Sequence, residues 1–376
     1  MTSGAWLSQL AARNSQLIMN RRLFVRTTGL GLLGATLPLP AASRRKKVLV
    51  VIFQRGAVDG LNMIVPHGER AYAASRPSIA IPRDEVLDLD GFFGAHPSMK
   101  SLLPFWKDRS LAVVHAAGSP DPTRSHFEAQ DFMESGTPGV KSTKDGFVAR
   151  ALGRAKTSTP RAVAITSTPP RIFAGAPDAI AVADLAKLRN DRAAALFASA
   201  YPEAFEAARV LGKVDAGGGP LKQIASLIRA DVGVEVAFTD VGGWDTHAAQ
   251  NGPLANSLRR LSDDVAAFVA DLGSRMSDVV LVTMSEFGRT VRENGTRGTD
   301  HGHGGAMLVL GGNVRGGKVH GRWPGLEREQ LFEGRDLTVT TDFRDVFAEV
   351  LHRHLGVESM ASVFPRHTVR SVGVLG

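Results

Sequence analysis

The chain has 376 residues, 43% of them hydrophobic and 22% charged, with 40 Gly, 19 Pro and no Cys. So much apolar material excludes a disordered chain, and the absence of Cys excludes disulfide frameworks and Cys-ligated zinc or iron–sulfur sites. The formal net charge of +8 points to nucleic acid only until its placement is considered. Residues 1–47 hold eight basic groups and no acidic one, so the other 37 basic residues balance 37 acidic ones. A neutral body offers no footprint for a phosphate backbone, and no nucleic-acid partner is expected.

Asn20-Arg21-Arg22-Leu23-Phe24-Val25-Arg26 joins an arginine pair to a hydrophobic run, followed by a weakly apolar stretch from Gly29 to Leu39 and small residues Ala41, Ala42 and Ser43. A basic segment, a short apolar segment and a small-residue cleavage zone resemble a bacterial twin-arginine export signal. The expectation is a signal peptide over residues 1–43, with the twin-arginine translocation machinery as partner and a periplasmic or otherwise exported mature protein. The apolar stretch falls far short of the ~20 residues that span a bilayer, and no transmembrane helix is expected in the mature chain. Gly29-Leu30-Gly31-Leu32-Leu33-Gly34 matches a dinucleotide-binding fingerprint in letters alone. A basic segment stands where the strand should be, and Pro38 and Pro40 interrupt the helix.

Beyond the leader, Val48–Phe53 is a continuous β-branched and apolar run, the signature of a strand buried on both faces of a parallel sheet. Similar runs follow at Leu111–Ala116, Ala162–Ile165, Val234–Phe238, Val279–Met284 and Ala306–Leu310. Helical patterns lie between them. Ser98–Trp106 is short, Ser125–Glu134 opens on a Ser-x-x-Glu capping box, and Ala181–Leu211 has room for one or two helices. Leu254–Leu272 places Leu258, Leu261, Val265, Phe268 and Leu272 at three- and four-residue steps, and Asp342–Leu355 stops at Gly356. Strands alternating with helices predict one α/β domain over residues 47–376, with a mainly parallel sheet and helices on both faces. The Gly-rich spots at 217–219 and 316–317 read as loops.

Ligands of open α/β sheets sit beyond the carboxyl ends of the strands. The residues bordering the predicted strands there are Asp59, His115, the run Asp121–His126, Asp245, His247 and Glu286, with Asp300, His301 and His303 just before the run at 306–310. Carboxylates and imidazoles among glycines, with almost no Lys, are the donors of a zinc, manganese or magnesium site. Asp59, Asp245, Glu286 and His303 are expected to converge at one sheet edge. Ser125, at a helix N-terminus, is either a cap or a nucleophile placed to carry an anion.

The motifs at 55–62 (Arg-Gly-Ala-Val-Asp-Gly-Leu-Asn), 123–128 (Thr-Arg-Ser-His-Phe-Glu), 242–247 (Gly-Gly-Trp-Asp-Thr-His), 285–289 (Ser-Glu-Phe-Gly-Arg) and 299–304 (Thr-Asp-His-Gly-His-Gly) resemble the domain-of-unknown-function 1501 family. That family is related to the alkaline phosphatase superfamily, and the resemblance implies an alkaline-phosphatase-like fold and divalent metal ions as cofactors. It implies Asp59, Asp245, His247, Glu286, Asp300, His301 and His303 as metal ligands. Ser125, or alternatively Thr123, is implied as nucleophile, and Arg124 as a phosphate clamp. The chain departs from the superfamily at Glu286-Phe287-Gly288, where Asp-His-Gly is usual: the carboxylate is one carbon longer and the imidazole is gone. Of the branches the resemblance implies, sulfatase chemistry fits least, because formylglycine formation needs Cys/Ser-x-Pro-x-Arg and Ser119-Pro120-Asp121-Pro122-Thr123-Arg124 has Asp at the Pro position. The function implied is an exported metal-dependent hydrolase of phosphate esters or related anionic groups. The alternative is a non-catalytic exported binding or maturation partner that keeps the fold.

Overall fold

The computed structural model describes residues 45–153, 159–189, 210–214 and 217–376. The leader, and residues 190–209 of the stretch expected to be helical, lie outside the described residues. In chain order the strands are β1 Val48–Gln54, β2 Ile64–Val65, β3 Leu87–Asp88, β4 Gly94–Ala95, β5 Leu111–Gly118 and β6 Ala162–Ile165, then β7 Ala179–Val182, β8 Val236–Val241, β9 Val279–Met284, β10 Gly305–Gly311, β11 Val319–His320 and β12 Thr341–Asp342. Among the described residues the main sheet runs β11-β5-β10-β9-β1-β8-β6-β7, with β12 also against β5, while β2, β4 and β3 form a small antiparallel sheet. Every pairing in the main sheet is parallel except those of β10, which runs against both β5 and β9.

The continuous apolar run of β1 is explained by burial on both faces. Val48, Val50 and Ile52 pack on one side and Leu49, Val51 and Phe53 on the other, following the two-residue period of a strand. The first face is covered by the helices Pro220–Arg229 and Asn251–Leu272, the second by Phe147–Leu152 and Phe343–Arg353. The stripe Leu258, Leu261, Val265, Phe268 and Leu272 is buried throughout, as its spacing predicts. The fold is α/β with a mostly parallel sheet and helices on both faces. No described helix is long and apolar enough to cross a membrane.

Two local expectations are corrected, and one helix was missed. Ala179–Val182 is strand β7, because Ile180 and Val182 gain more from burial beside β6 than the alanines gain from helix; a turn of 3-10 helix follows at Leu185–Arg189. The helix Pro220–Arg229 starts on a proline at its first position and was not legible as a separate element. Ser125 occupies the N-cap position of His126–Ser135, but its side chain caps nothing. Glu128 instead accepts from the Thr123 hydroxyl and pairs with Lys141, so no capping box forms.

The parallel strands β1, β5, β8 and β9 end at one edge of the sheet. β10 runs the other way, so the loop before it, residues 299–304, reaches that same edge. The loops after β9 and before β10 then pack backbone on backbone. Gly288 donates its N–H to the His303 carbonyl at 2.8 Å, and Gly302 donates to the Gly288 carbonyl at 2.8 Å. A Cβ on Gly288 would stand 1.8 Å from the Gly304 oxygen, and one on Gly302 would stand 2.3 Å from the Arg289 carbonyl carbon. The glycines of both motifs are there for this approach.

Candidate metal centre

Four side chains from three loops meet at the carboxyl edge. His126 opens the helix after β5, Asp245 and His247 follow β8, and His301 precedes β10. One donor atom each from His126, Asp245 and His301 lie within 4.8 Å of one another. The His301 Nε2 is 3.0 Å from the Nε2 of His126 and 3.0 Å from the Nε2 of His247. Asp245 Oδ1 stands 2.9 Å from His247 Nε2 and 3.3 Å from His301 Nε2, and Asp245 Oδ2 stands 3.7 Å from His126 Nε2.

Each ring is oriented by its other nitrogen. His126 Nδ1 meets Glu286 Oε1 at 2.8 Å, His247 Nδ1 meets Asp300 Oδ1 at 2.9 Å, and His301 Nδ1 meets the backbone carbonyl of Arg124 at 2.9 Å. A carbonyl only accepts, so the His301 proton sits on Nδ1 and its Nε2 is a bare lone pair. Burial holds the His301 pKa below the ordinary value, which keeps that ring neutral. Glu286 accepts from the His126 ring at Nδ1, while His247 has a carboxylate at each nitrogen, Asp300 at Nδ1 and Asp245 at Nε2, both at 2.9 Å. The Nε2 atoms of the three rings thus face one another around a common gap, with the Asp245 carboxylate beside them. A small cation bound by arms of about 2.0 Å fits such a gap, and outer carboxylates or carbonyls on the far nitrogens are the usual support of imidazole ligands. The residues present therefore fit a divalent ion.

The surrounding groups set the charge. The hydrogen bond that His126 donates to Glu286 raises the pKa of His126. Glu286 is wholly buried; burial works against its ionisation, yet His126, Gln130 and the Gly56 N–H hold it below the usual carboxylate range. Asp245 is likewise opposed by desolvation but pulled below its ordinary value by Arg289. The buried Arg289 donates to the carbonyls of Ala57, Thr299, Gly56 and Trp244, and to Asp245 Oδ1 at 2.5 Å. It clamps the loops that carry the donors. Phe287 packs against His126 and His301 with ring centroids 5.0 Å away in each case. Asp245 and His247 remain about half exposed, so the cluster opens to solvent.

Of the residues expected as ligands, Asp245, His247 and His301 converge directly. Glu286 and Asp300 lie one shell out, each holding a ring nitrogen. Asp59 is at the same edge but is corrected to a structural role. One of its oxygens caps the turn Gly60–Met63 through the N–H groups of Leu61 and Asn62, and the other takes Arg76 and Gln250 at 2.6 Å each. His303 turns away and stacks on Phe332 at 4.3 Å. Arg124 contributes its carbonyl, not its guanidinium, which is held by Asp336 and Glu333 at 2.6 Å each. Ser125 is exposed beside His126. The member of the cluster missed from sequence was His126. Its signal was present in the Thr-Arg-Ser-His motif, but it was hidden behind the adjacent serine. Arg289 was missed for a similar reason, as the last residue of a motif read for its carboxylate.

Residues 220–366 match the model of a family described as "Protein of unknown function (DUF1501)". No curated protein matches the chain. Among solved structures, the chain is similar to the C-terminal periplasmic domain of EcEptC from Escherichia coli in complex with Zn. The identity is 11%, with 72% of this chain and 74% of that chain covered and a TM-score of 0.38. It is also similar to the lipoteichoic acid synthase LtaP from Listeria monocytogenes, at 10% identity over 65% of this chain and 57% of that chain, TM-score 0.34. A protein in the alkaline phosphatase superfamily from Vibrio parahaemolyticus is 11% identical over 71% and 60%, TM-score 0.31. The resemblance drawn from the motifs is thus carried by a DUF1501 match over residues 220–366, the span that holds Asp245, His247, Glu286, Arg289 and the run Asp300–His303.

Proposed function

We propose that this chain is an exported metal-dependent hydrolase of phosphate esters or related anionic groups, with one ion held by His126, His247, His301 and Asp245. The observation that carries this reading is the convergence of three imidazole Nε2 atoms whose Nδ1 atoms are all engaged elsewhere. Three imidazoles and one carboxylate suit zinc or manganese better than magnesium, which prefers oxygen donors. When bound, such an ion supplies Lewis-acid charge to an anionic oxygen of the substrate. Ser125 is the proposed nucleophile. Its hydroxyl makes no cap bond, it is exposed, and it stands at the positive end of a ten-residue helix. A second ion at Asp59 is not part of the proposal, because Arg76 already neutralises that carboxylate.

Ser125→Ala should abolish turnover of simple phosphomonoesters and diesters while metal content stays at the wild-type level. Because no side-chain cap is lost, its stability should change by less than about 1 kcal/mol. Turnover that survives the substitution removes Ser125 from the chemistry. The second reading, a non-catalytic exported partner, is favoured by one observation: the guanidinium groups of Arg124 and Arg289 are both occupied and leave no clamp for a phosphate. Metal-loaded wild-type protein inert towards mono- and diesters would decide for that reading.

Export rests on the leader, with its arginine pair, short apolar stretch and small-residue cleavage zone. Lysine lacks the planar fork of guanidinium. Replacing Arg21 and Arg22 together with Lys should leave uncleaved precursor in the cytoplasm, as seen by fractionation. Normal processing of that variant would remove the twin-arginine proposal.

A further inference from the structure

A separate cavity of about 580 Å³ is lined by Arg70, Arg292 and Arg328, with Leu326 and Leu331 in its wall and Glu327 as its single acid. Its frame is held by backbone hydrogen bonds. The Glu293 N–H reaches the Ser75 carbonyl at 3.0 Å, tying the segment after Arg292 to the helix that Arg70 opens, and the Val291 N–H reaches the Arg335 carbonyl at 3.2 Å. Arg328 begins the short turn Arg328–Gln330, in which the Glu327 carboxylate accepts from the Gln330 backbone. Among the described residues, none of these three guanidinium groups forms an ion pair or a side-chain hydrogen bond, whereas Arg55, Arg76, Arg124 and Arg289 are each tied to a carboxylate. Three arginines against one carboxylate leave this lining net positive.

We propose that this cavity binds a small organic molecule bearing a phosphate-type oxyanion. Guanidinium forks match the paired oxygens of such a group, and Leu326 and Leu331 offer apolar wall to the organic part. The volume is that of a small-molecule site. The assignment does not rest on the metal centre, whose residues are absent from this lining.

The probe is phenylphosphonate, which carries the oxyanion on a carbon–phosphorus bond that a phosphate-ester hydrolase leaves intact, with inorganic phosphate as the comparison. Calorimetric titration of the full folded chain, treated with a chelator so that no ion draws phosphonate to the metal centre, should show one saturable site that prefers phenylphosphonate. Arg70→Gln, Arg292→Gln and Arg328→Gln should each weaken binding roughly tenfold. Because all three side chains are at the surface, thermal melting should be unchanged. Raising salt from about 0.1 M to 1 M, which shortens the screening length from about 10 Å to about 3 Å, should weaken binding as well. His301→Ala should leave the titration unaltered. Absence of a saturable site, equal affinity for inorganic phosphate, binding intact in the triple glutamine variant, or binding lost with His301→Ala would each overturn the proposal.

Discussion

Replacing His301 with alanine is expected to strip the protein of its divalent ion and to leave the sheet folded. The side chain sits at the middle of the cluster, 3.0 Å from both neighbouring imidazoles, while its own backbone is held independently of it. The Arg335 guanidinium reaches the His301 carbonyl, and an isolated bridge joins residue 301 to Arg289. The loop should keep its path without the ring. Metal analysis of the purified variant, followed by zinc titration, reads the effect directly. Glu286→Gln should act less severely: the His126 ring loses its ionised partner, and metal affinity should fall by about 10- to 100-fold. A His301→Ala protein that still carries a stoichiometric ion would sink the single-centre reading.

The largest effect on stability is expected away from that centre, at Asp59. Its carboxylate and the Arg76 guanidinium are 2.6 Å apart, with side-chain exposures of 1% and 0%. Arg76 also donates to the Asn62 side chain and to the carbonyls of Thr290 and Val291, so it cannot leave the interior with its partner gone. Asp59→Ala leaves a buried, uncompensated charge and should cost about 3–5 kcal/mol by urea denaturation. Metal content per folded molecule should be unchanged. Adding Arg76→Met should recover part of the loss, because the double change removes the orphaned charge. Loss of metal with stability intact would instead return Asp59 to the ligand set.

The same contrast shows what was legible in the residues and what was not. Continuous runs such as Val48–Phe53 could only be strands covered on both faces, because a one-sided sheet would alternate polar with apolar. The stripe from Leu258 to Leu272 could only be a helix with one buried side. These are properties of neighbouring residues, so periodicity reveals them. The gathering of Asp245, His247, Glu286 and His301 at one edge was legible for the same kind of reason, since each borders a strand.

Which of those donors share an ion was decided by contacts of about 3 Å between loops far apart in the chain. Asp59 and Asp245 are alike as residues after strands. One met Arg76 in the interior, and the other met three imidazoles at the surface. The His126 ring turns its Nε2 into the cluster because Glu286, 160 positions later, takes its Nδ1. Arg124 lost its guanidinium to Asp336 and Glu333, and only its carbonyl reaches the centre. The sequence by itself therefore determined the α/β sheet and the edge at which the donors collect, since both follow from local pattern. Only the tertiary structure sorted ligands from supports and structural pairs, because a carboxylate's role depends on which cation or proton donor the fold brings to it.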